Sequence, residues 1–444
     1  MQNKPVSPSN TVQINTQLKG QVPKPSFNSA NKLTQQEQKN VQTIAKNVHI
    51  RVPKGWNHEA QYYWLESQPQ KAIQTVLSDL NQYADSIRPA ERMLQLSYYL
   101  YLNGDRAAAA QFLELAHEQH PQDIEILKNL AVTLSANKQD VKALAYWEKY
   151  QQANPEDYLM YDAMSMCYYR LNQLDQAHKA GSKALTLKDI QHGILKTDWR
   201  LPSVSISEFL KAKPKKVIAF SLWGKNPRYL RGAIDNAQAR FYIYPDWIMR
   251  FYVDDSVPTE ICEALKKLNC EVIQEPPQQT SKQKLAWRFK VAHDSSIGRF
   301  LVRDVDSVVN AREKAVVEEW MRSEKWFHVM RDWWSHTDLI LAGMWGGIAD
   351  VLPNLSELLE NYTPLAMETP NVDQWFLRDC IWAYVKQSCL VHDRCFITDN
   401  TTVWHADQLQ KYTNWHVGQD IHAVEPEEQL QRLRPWLAEL KSLN

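Results

Sequence analysis

Glycine is scarce in this chain, at 12 of 444 residues, whereas average usage is about 7%. So few glycines exclude long glycine-rich loops and favour a helix-rich architecture. An excess of charge of one sign is also missing, because 51 Lys and Arg residues balance 51 Asp and Glu residues. A balanced chain does not resemble a dedicated nucleic-acid binder, so we expect no nucleic-acid partner.

Disulfide frameworks, zinc motifs and long apolar runs are missing as well. The six cysteines form no Cys-x-x-Cys pair, which favours reduced thiols in a cytoplasmic protein. No apolar run approaches the length of about 18 residues that a membrane-spanning helix needs. The first residues contain no apolar region typical of a signal peptide. We therefore expect no transmembrane segment, while peripheral contact with the inner face of a membrane stays open.

Residues 1–48 differ in composition from the rest. They contain 15 Asn or Gln residues, four prolines and a single aromatic residue, Phe27. Such a segment buries too little apolar surface to offset its chain entropy, so we expect a disordered tail. Six lysines against one glutamate would also suit a tether to an acidic partner or membrane.

Residues 55–190 contain an internal repeat. Small residues recur at an even spacing in Ala109, Ala143 and Ala177, and Pro121 and Pro155 keep the same spacing. Each unit shows two amphipathic helical patterns with a break between them. The breaks fall near Gly104, Lys138 and Asn172.

A helix–turn–helix period of about 34 residues is typical of tetratricopeptide repeats, and the spacing of these alanines matches it. The chain resembles that family over three units, and a degenerate fourth unit is predicted at 56–88 in Trp64, Leu65, Ala72, Val76 and Leu77. Such a solenoid presents a concave surface that binds peptides or partner domains, so a protein partner is expected. The alternative is a purely structural arm.

After a linker at 191–214, the pattern changes to alternating strands and helices at 215–440. Such alternation predicts an α/β domain with a mostly parallel sheet and helices on both faces. Neither a dinucleotide-binding Gly-x-Gly-x-x-Gly motif nor a P-loop is present. The predicted strands lie at 217–222, 247–253, 271–274 and 300–303, and the predicted helices at 227–243, 259–268 and 284–293.

Two carboxylates follow the strand at 300–303. Asp304 and Asp306 come directly after this apolar run, at the end where open α/β sheets bind ligands. Carboxylates two residues apart at such a position can share one hard divalent cation, Mn²⁺ or Mg²⁺, together with substrate phosphates. The sequence therefore predicts a metal site there.

The domain resembles a GT-A-type nucleotide-sugar glycosyltransferase, and its motif order is similar to that of glycosyltransferase family 8. Residues 287–294 followed by 300–306 resemble the family's Arg-bearing helix and its DxD strand. Residues 371–377 resemble its Asp-Gln segment, and 415–418 its late His-x-x-Gly segment, one residue shorter. The Lys-Pro-Trp that often follows the family's late His is absent, and Arg303 stands where an aromatic residue often precedes the DxD.

The resemblance implies roles for particular residues. Asp304, Asp306 and His416, with His405 as a rival, would hold the metal, and Arg288 would contact phosphate or donor sugar. Asp373 and Gln374 would hold donor-sugar hydroxyls and face the reacting carbon. The residues expected to contact the nucleotide or line a donor or acceptor loop are Phe220, Ser221, Trp223, Asp254, Gly346 and Gly347, while Trp333, Trp334 and His336 would form a sugar-binding wall.

These observations predict a metal-dependent glycosyltransferase that uses a nucleotide-sugar, with a UDP-sugar favoured, and a saccharide, lipid-linked or protein acceptor. Motif order favours a retaining reaction, while an inverting one would need Asp338 or Asp373 as the base. One alternative is a scaffold whose α/β domain has lost turnover. Another is a metal-dependent phosphoryl or nucleotidyl transferase.

Overall fold

The computed structural model describes residues 52–83, 86–276, 280–364, 371–404 and 416–420. The chain divides into two compact units, the first ending at Leu171 and the second beginning at Asn172. The predicted tail at 1–48, His405 and the last predicted residues of the α/β domain, 421–440, lie outside the described residues. No helix among the described residues is long and apolar enough to cross a membrane.

The described part of the first unit is helical. Neighbouring helices along the chain pack against each other and bury their apolar faces. Trp64 stacks on Tyr99 with ring centroids 4.7 Å apart, and the Nε1–H of the buried Trp147 donates to Ser135 Oγ at 3.0 Å. The helices are α1 His58–Leu65, α2 Pro69–Asn81, α3 Ala90–Leu102, α4 Arg106–Gln119, α5 Ile124–Ala136, α6 Asp140–Ala153 and α7 Tyr158–Arg170.

The predicted repeat is confirmed by the helix boundaries. Helices α3, α5 and α7 begin at evenly spaced residues, one repeat apart, and so do α4, α6 and the helix that begins at Leu174. The turns inside the pairs repeat too, since Gly104, Lys138 and Asn172 all have φ between 58° and 90°. Asp123 and Asp157 cap α5 and α7 by accepting from their first backbone N–H groups.

The second unit alternates helices with strands, as predicted. Its first helix, α8, begins where the repeat spacing places the second helix of the last repeat, and it belongs to this unit. The predicted linker contains the short helix α9. The helices are α8 Leu174–His192, α9 Ile206–Leu210, α10 Pro227–Ile243, α11 Thr259–Lys267, α12 Ser281–Ala286, α13 Ala311–Arg322, α14 Leu355–Asn361, α15 Val372–Phe376 and α16 Trp382–Val385.

The strands of this unit form one sheet in the order β3-β2-β1-β4-β6-β5-β7-β8. Neighbouring strands are parallel except at β6, which is antiparallel to β4 and β5. The prediction of a mostly parallel sheet is thus confirmed. The strands are β1 Lys216–Leu222, β2 Ile248–Val253, β3 Glu271–Gln274, β4 Arg299–Arg303, β5 Phe327–Arg331, β6 Met344–Ile348, β7 Cys389–Asp393 and β8 Thr401–Val403.

The helix predicted at 284–293 is split in two. A capping box between Thr280 and Gln283 starts α12 earlier than predicted. From Trp287 to His293 the chain winds as a 3₁₀ helix, and this turn carries Arg288 beside the end of β1.

Candidate functional site

The carboxyl-terminal ends of β3, β2, β1 and β4 meet at one edge of the sheet, because these strands are parallel neighbours. Ser221 lies at the end of β1, Asp254 follows β2, and Asp304 and Asp306 follow β4. Open α/β sheets bind their ligands at such an edge. We call these four residues and Arg288 the candidate site.

The turn after β4 is held by α10. The Nδ2 of the buried Asn236 donates to the carbonyl oxygens of Val305 and Ser307, both at 3.1 Å. Gly232 permits this close approach, since a Cβ there would lie 2.1 Å from the Val305 carbonyl oxygen. Sequence reasoning missed both residues of α10. The one signal was a glycine inside a helix in a glycine-poor chain.

Arg288 connects two carboxylates. Its Nη1 donates to Asp304 Oδ1, its Nη2 donates to Asp373 Oδ2 at 2.9 Å, and its backbone N–H donates to Ser221 Oγ at 3.1 Å. The side chain is only 5% exposed. Burial lowers the pKa of Arg288, but the charges of Asp304 and Asp373 outweigh it and hold the pKa above its usual value. Arg288 is therefore a buried cation that orients Asp304.

Asp306 is paired with a second arginine. Arg228, at the start of α10, donates through Nε to Asp306 Oδ2 at 3.0 Å and lies 2.9 Å from Asp420 Oδ2 through Nη2. Burial, and after it the charge of Asp304, raises the pKa of Asp306. The charge of Asp304 thus disfavours ionised Asp306, and a cation bound by both carboxylates would relieve this repulsion.

The prediction of three protein ligands for one metal is not matched by this arrangement. Among the described residues, no group of three or more His, Cys, Asp or Glu side chains is arranged to hold a metal ion. Asp304 and Asp306 are close enough to interact, but His416 does not join them as a third ligand. The carboxylate pair alone offers the oxygen atoms that Mg²⁺ and Mn²⁺ prefer.

His416 belongs to a different cluster. The backbone N–H of Val417 donates to Asp332 Oδ2 at 2.8 Å, which fixes the short segment 416–420. The His416 ring then stacks on Trp333 with centroids 4.8 Å apart and meets the His336 ring edge-on at 5.0 Å. Burial lowers the pKa of His416. Trp334 meets Phe396 edge-on at 5.8 Å, so all three side chains predicted to face a sugar contact protein rings.

Asp373 and Gln374 lie beside the candidate site, in the first turn of α15. Asp373 Oδ1 accepts from the backbone N–H of Gln374 at 2.9 Å, and the Gln374 side chain donates through Nε2 to Asp338 Oδ2. Asp338 Oδ1 in turn accepts from the buried Lys188 at 2.9 Å. Burial raises the pKa of Asp373, and Arg288 offsets this in part.

Asp254 is predicted either to meet a ribose hydroxyl of the nucleotide or to cap the turn that follows β2. Its Oδ2 accepts from Lys284 Nζ at 2.6 Å, and its Oδ1 accepts from the Ser256 backbone N–H at 3.1 Å. Burial raises the pKa of Asp254, but Lys284 and Ser256 overcome this and lower it. Trp223 is half-buried, with its ring edge-on to Trp287 at 6.2 Å. The structure thus places Asp254 and Trp223 at the predicted edge.

Three predicted contacts are wrong. Phe220 cannot receive a nucleotide base, because it is 0% exposed and its ring stacks on Phe251 at 4.8 Å. Gly346 and Gly347 do not form a loop: they lie within β6 and are buried. A Cβ on Gly346 would lie 2.4 Å from the Phe300 carbonyl oxygen, so these glycines serve close packing of strands. The preceding Gly343 does approach the site, where a Cβ would lie 2.1 Å from Asp304 Oδ2.

No family model matches the chain, and no curated protein matches it. Among solved structures, MamA from Desulfovibrio magneticus RS-1 is 21% identical over 30% of this chain and 74% of its own length, with a TM-score of 0.27. A mutant O-GlcNAc transferase of Thermobaculum terrenum is 13% identical over 61% of this chain and 47% of its own, with a TM-score of 0.34. Similarities this low carry no argument about function, which has to rest on the geometry of the site.

Proposed function

We propose that the second unit is a metal-dependent glycosyltransferase of the GT-A type, which uses a nucleotide-sugar donor, with a UDP-sugar the first candidate. The acceptor would be a saccharide, a lipid-linked glycan or a protein, and the repeats would hold a protein partner. The observation that carries this proposal is the pair Asp304 and Asp306 at the carboxyl-terminal edge of the parallel strands, with an arginine fixed on each carboxylate.

Asp304 and Asp306 would hold the Mn²⁺ or Mg²⁺. The Asp304 side chain is 46% exposed, so an ion can reach it, and both residues supply hard oxygen ligands. When bound, the cation would stabilise negative charge on the diphosphate leaving group. A cation held by both carboxylates would relieve the repulsion that Asp304 exerts on Asp306, which supports the assignment.

The cationic side chains have different roles in this proposal. Arg288 is too buried to meet a phosphate and instead orients Asp304. Arg228 has a side chain that is 36% exposed and is better placed to donate to a diphosphate oxygen. Lys284, bound to Asp254, would hold that carboxylate in place for a ribose hydroxyl.

Asp338 and Asp373, the two candidate bases for an inverting reaction, already accept hydrogen bonds from protein groups. Asp338 accepts from Lys188 and Gln374, and Asp373 accepts from Arg288 and the Gln374 backbone. A carboxylate with a donor on each oxygen is poorly prepared to take a proton from an acceptor hydroxyl. This arrangement disfavours Asp338 and Asp373 as that base.

The proposal is tested by thermal unfolding of the full chain with UDP-, GDP-, ADP- and CMP-sugars, with and without Mn²⁺ or Mg²⁺. A ligand at 100 times its Kd should add about 2.7 kcal/mol to the free energy of unfolding. We expect one nucleotide class to stabilise the wild type in the presence of metal, and Asp306→Asn to abolish the effect. The matched control is Asp79→Asn, which removes another arginine-paired carboxylate, that of Arg92 in the first unit. If the wild type is folded and no ligand stabilises it, the proposal is contradicted.

A scaffold without turnover is the second candidate, favoured by one observation. Arg288 and Arg228 already neutralise Asp304 and Asp306, as structural ion pairs would. If no nucleotide-sugar stabilises the wild type against thermal unfolding, this result would support the scaffold. If a nucleotide-sugar does bind, analysis of the product separates sugar transfer from phosphoryl or nucleotidyl transfer.

A further inference from the structure

Helix α8 contributes a buried lysine to the surroundings of the candidate site. Lys188 is 2% exposed, and its Nζ donates to Asp338 Oδ1 at 2.9 Å and to the Thr337 carbonyl oxygen at 2.8 Å. A buried ammonium group is costly unless it is paired. Lys188 and Asp338 therefore determine each other's positions.

From Asp338 the polar contacts continue to the metal-binding carboxylate. Gln374 donates to Asp338 through its side chain and to Asp373 through its backbone N–H. Asp373 accepts from Arg288 Nη2, and Arg288 Nη1 donates to Asp304. The side chains of Asp338, Asp373 and Arg288 are 14%, 6% and 5% exposed, so water competes weakly for these hydrogen bonds.

We propose that Lys188 is a positioning residue for this site: through Asp338, Gln374 and Asp373 it determines how Arg288 is shared between Asp373 and Asp304. This inference rests on the proposed function, because its consequence is a change in the affinity of Asp304 for the metal ion. Helix α8, whose first residue keeps the spacing of the repeats, would then influence the metal affinity of the α/β unit.

The direction of the effect follows from the contacts. Without Lys188, Asp338 loses its hydrogen-bonded cation and keeps only the charge of Arg378 nearby, so it fixes the Gln374 side chain less firmly. The first turn of α15 is then less constrained, and the hold of Asp373 on Arg288 weakens. Arg288 turns its charge towards Asp304, where it competes with the metal. Removal of Lys188 should therefore weaken metal binding without touching a ligand.

A second contact of α8 provides a matched control. Asp189 accepts from Lys386 Nζ at 2.6 Å and from Trp382 Nε1 at 2.7 Å. This pair anchors the same helix to the same unit but has no member in the contacts that lead to Asp304. Lys386→Met removes a lysine that pairs with α8, whereas Lys188→Met removes one that α8 itself carries. The Lys386→Met variant should keep the wild-type affinity for the metal.

The experiment measures binding of Mn²⁺ alone to the full chain, from the electron paramagnetic resonance signal of the free ion. Changes along a series of coupled contacts typically alter binding by about 2–30-fold, and we expect a loss of Mn²⁺ affinity in this range for Lys188→Met. Lys188→Arg should recover part of the affinity, because it restores a donor to Asp338. Lys386→Met should bind Mn²⁺ as the wild type does.

Equal Mn²⁺ affinity in wild type and Lys188→Met would overturn the positioning role and leave the proposed function standing. If the wild type binds no Mn²⁺ on its own, the metal-dependent function is judged from the experiment with metal and nucleotide-sugar together, because diphosphate oxygens can complete the coordination of such an ion. The role of Lys188 is then decided by the Tm values of Lys188→Met, Asp304→Asn and the double variant. Non-additive shifts support the coupling, and additive shifts overturn it.

Should Lys188→Met fail to fold, the variant to use is Lys188→Met with Asp338→Asn. It removes both charges, so no unpaired ion stays buried, and Gln374 still loses its carboxylate partner. Weakened Mn²⁺ binding in this variant supports the proposal, and wild-type affinity overturns it.

Discussion

The two units keep their charges in different places. In the first unit the Arg92–Asp79 pair has side chains that are 25% and 20% exposed. In the second unit the side chains of Arg331 and Asp393 are 3% and 0% exposed. The first unit does bury single polar side chains such as Arg88 and Asp140, but the partner of Asp140, Arg170, stays 27% exposed. The α/β unit buries paired charges near the ends of its strands, where perturbed ionisable groups mark candidate functional sites.

The largest expected effect comes from breaking a buried pair. Arg331→Met would leave Asp393 without its cation, and such a change costs about 3–5 kcal/mol of the free energy of unfolding. Urea unfolding gives this loss. Arg92→Met in the first unit is the control and should cost about 1 kcal/mol or less, because that pair is partly solvated. Equal losses in the two variants would contradict the contrast between the units.

Two glycine substitutions, one in each unit, extend the comparison of the units to backbone packing. Gly232→Ala forces a Cβ against the Val305 carbonyl oxygen, and such overpacking costs about 1–3 kcal/mol. Gly104→Ala meets no atom within 4 Å but keeps a φ of +90°, for which about 1 kcal/mol of strain is expected. Both losses are read from thermal unfolding. Stabilisation by Mn²⁺ should fall only in Gly232→Ala, because Gly232 holds the turn of Asp304 and Asp306. Intact Mn²⁺ binding in that variant would argue against the role of α10.

The smallest effect is a pH dependence of the second unit. Burial, and after it His392 and Arg303, lowers the pKa of His328 well below its usual value. Above about pH 6.5 both folded and unfolded chains keep this ring neutral, and stability does not change with pH through it. Below that pH the unfolded chain takes up a proton that the folded chain does not, so the free energy of unfolding falls by up to about 1.4 kcal/mol per pH unit.

Urea unfolding at a series of pH values between neutral and mildly acidic measures this slope. His328→Gln should flatten it. The control is His117→Gln in the first unit, where burial also lowers the pKa but leaves the ring more exposed, so the slope should change less. An unchanged slope in His328→Gln would show that other groups carry the acid sensitivity.

Sequence reasoning succeeded where the physics is local. The even spacing of the repeats, the turns at Gly104, Lys138 and Asn172 and the helix at 227–243 were all readable, because capping, periodicity and left-handed turns depend on near neighbours. The position of Asp304 and Asp306 after an apolar strand was readable for the same reason. Their use as metal ligands stays a prediction.

Sequence reasoning failed where partners are distant along the chain. Phe220 and Gly346 looked like ligand contacts, but both lie in strands that are buried on both faces of the sheet. Arg228, Asn236 and Lys188 carried no signal. Each is an ordinary helix residue until the fold brings it to a carboxylate or a carbonyl oxygen far away in sequence.

The sequence by itself determined the two kinds of architecture, because hydrophobic period and helix capping act over a few residues. It also determined that two carboxylates follow β4. Tertiary structure decided which side chains contact those carboxylates. Arg288 is shared between Asp304 and Asp373, Arg228 pairs with Asp306, and His416 packs against Trp333. Electrostatic interactions act through space between side chains that only folding makes neighbours, so their outcome is absent from any local pattern.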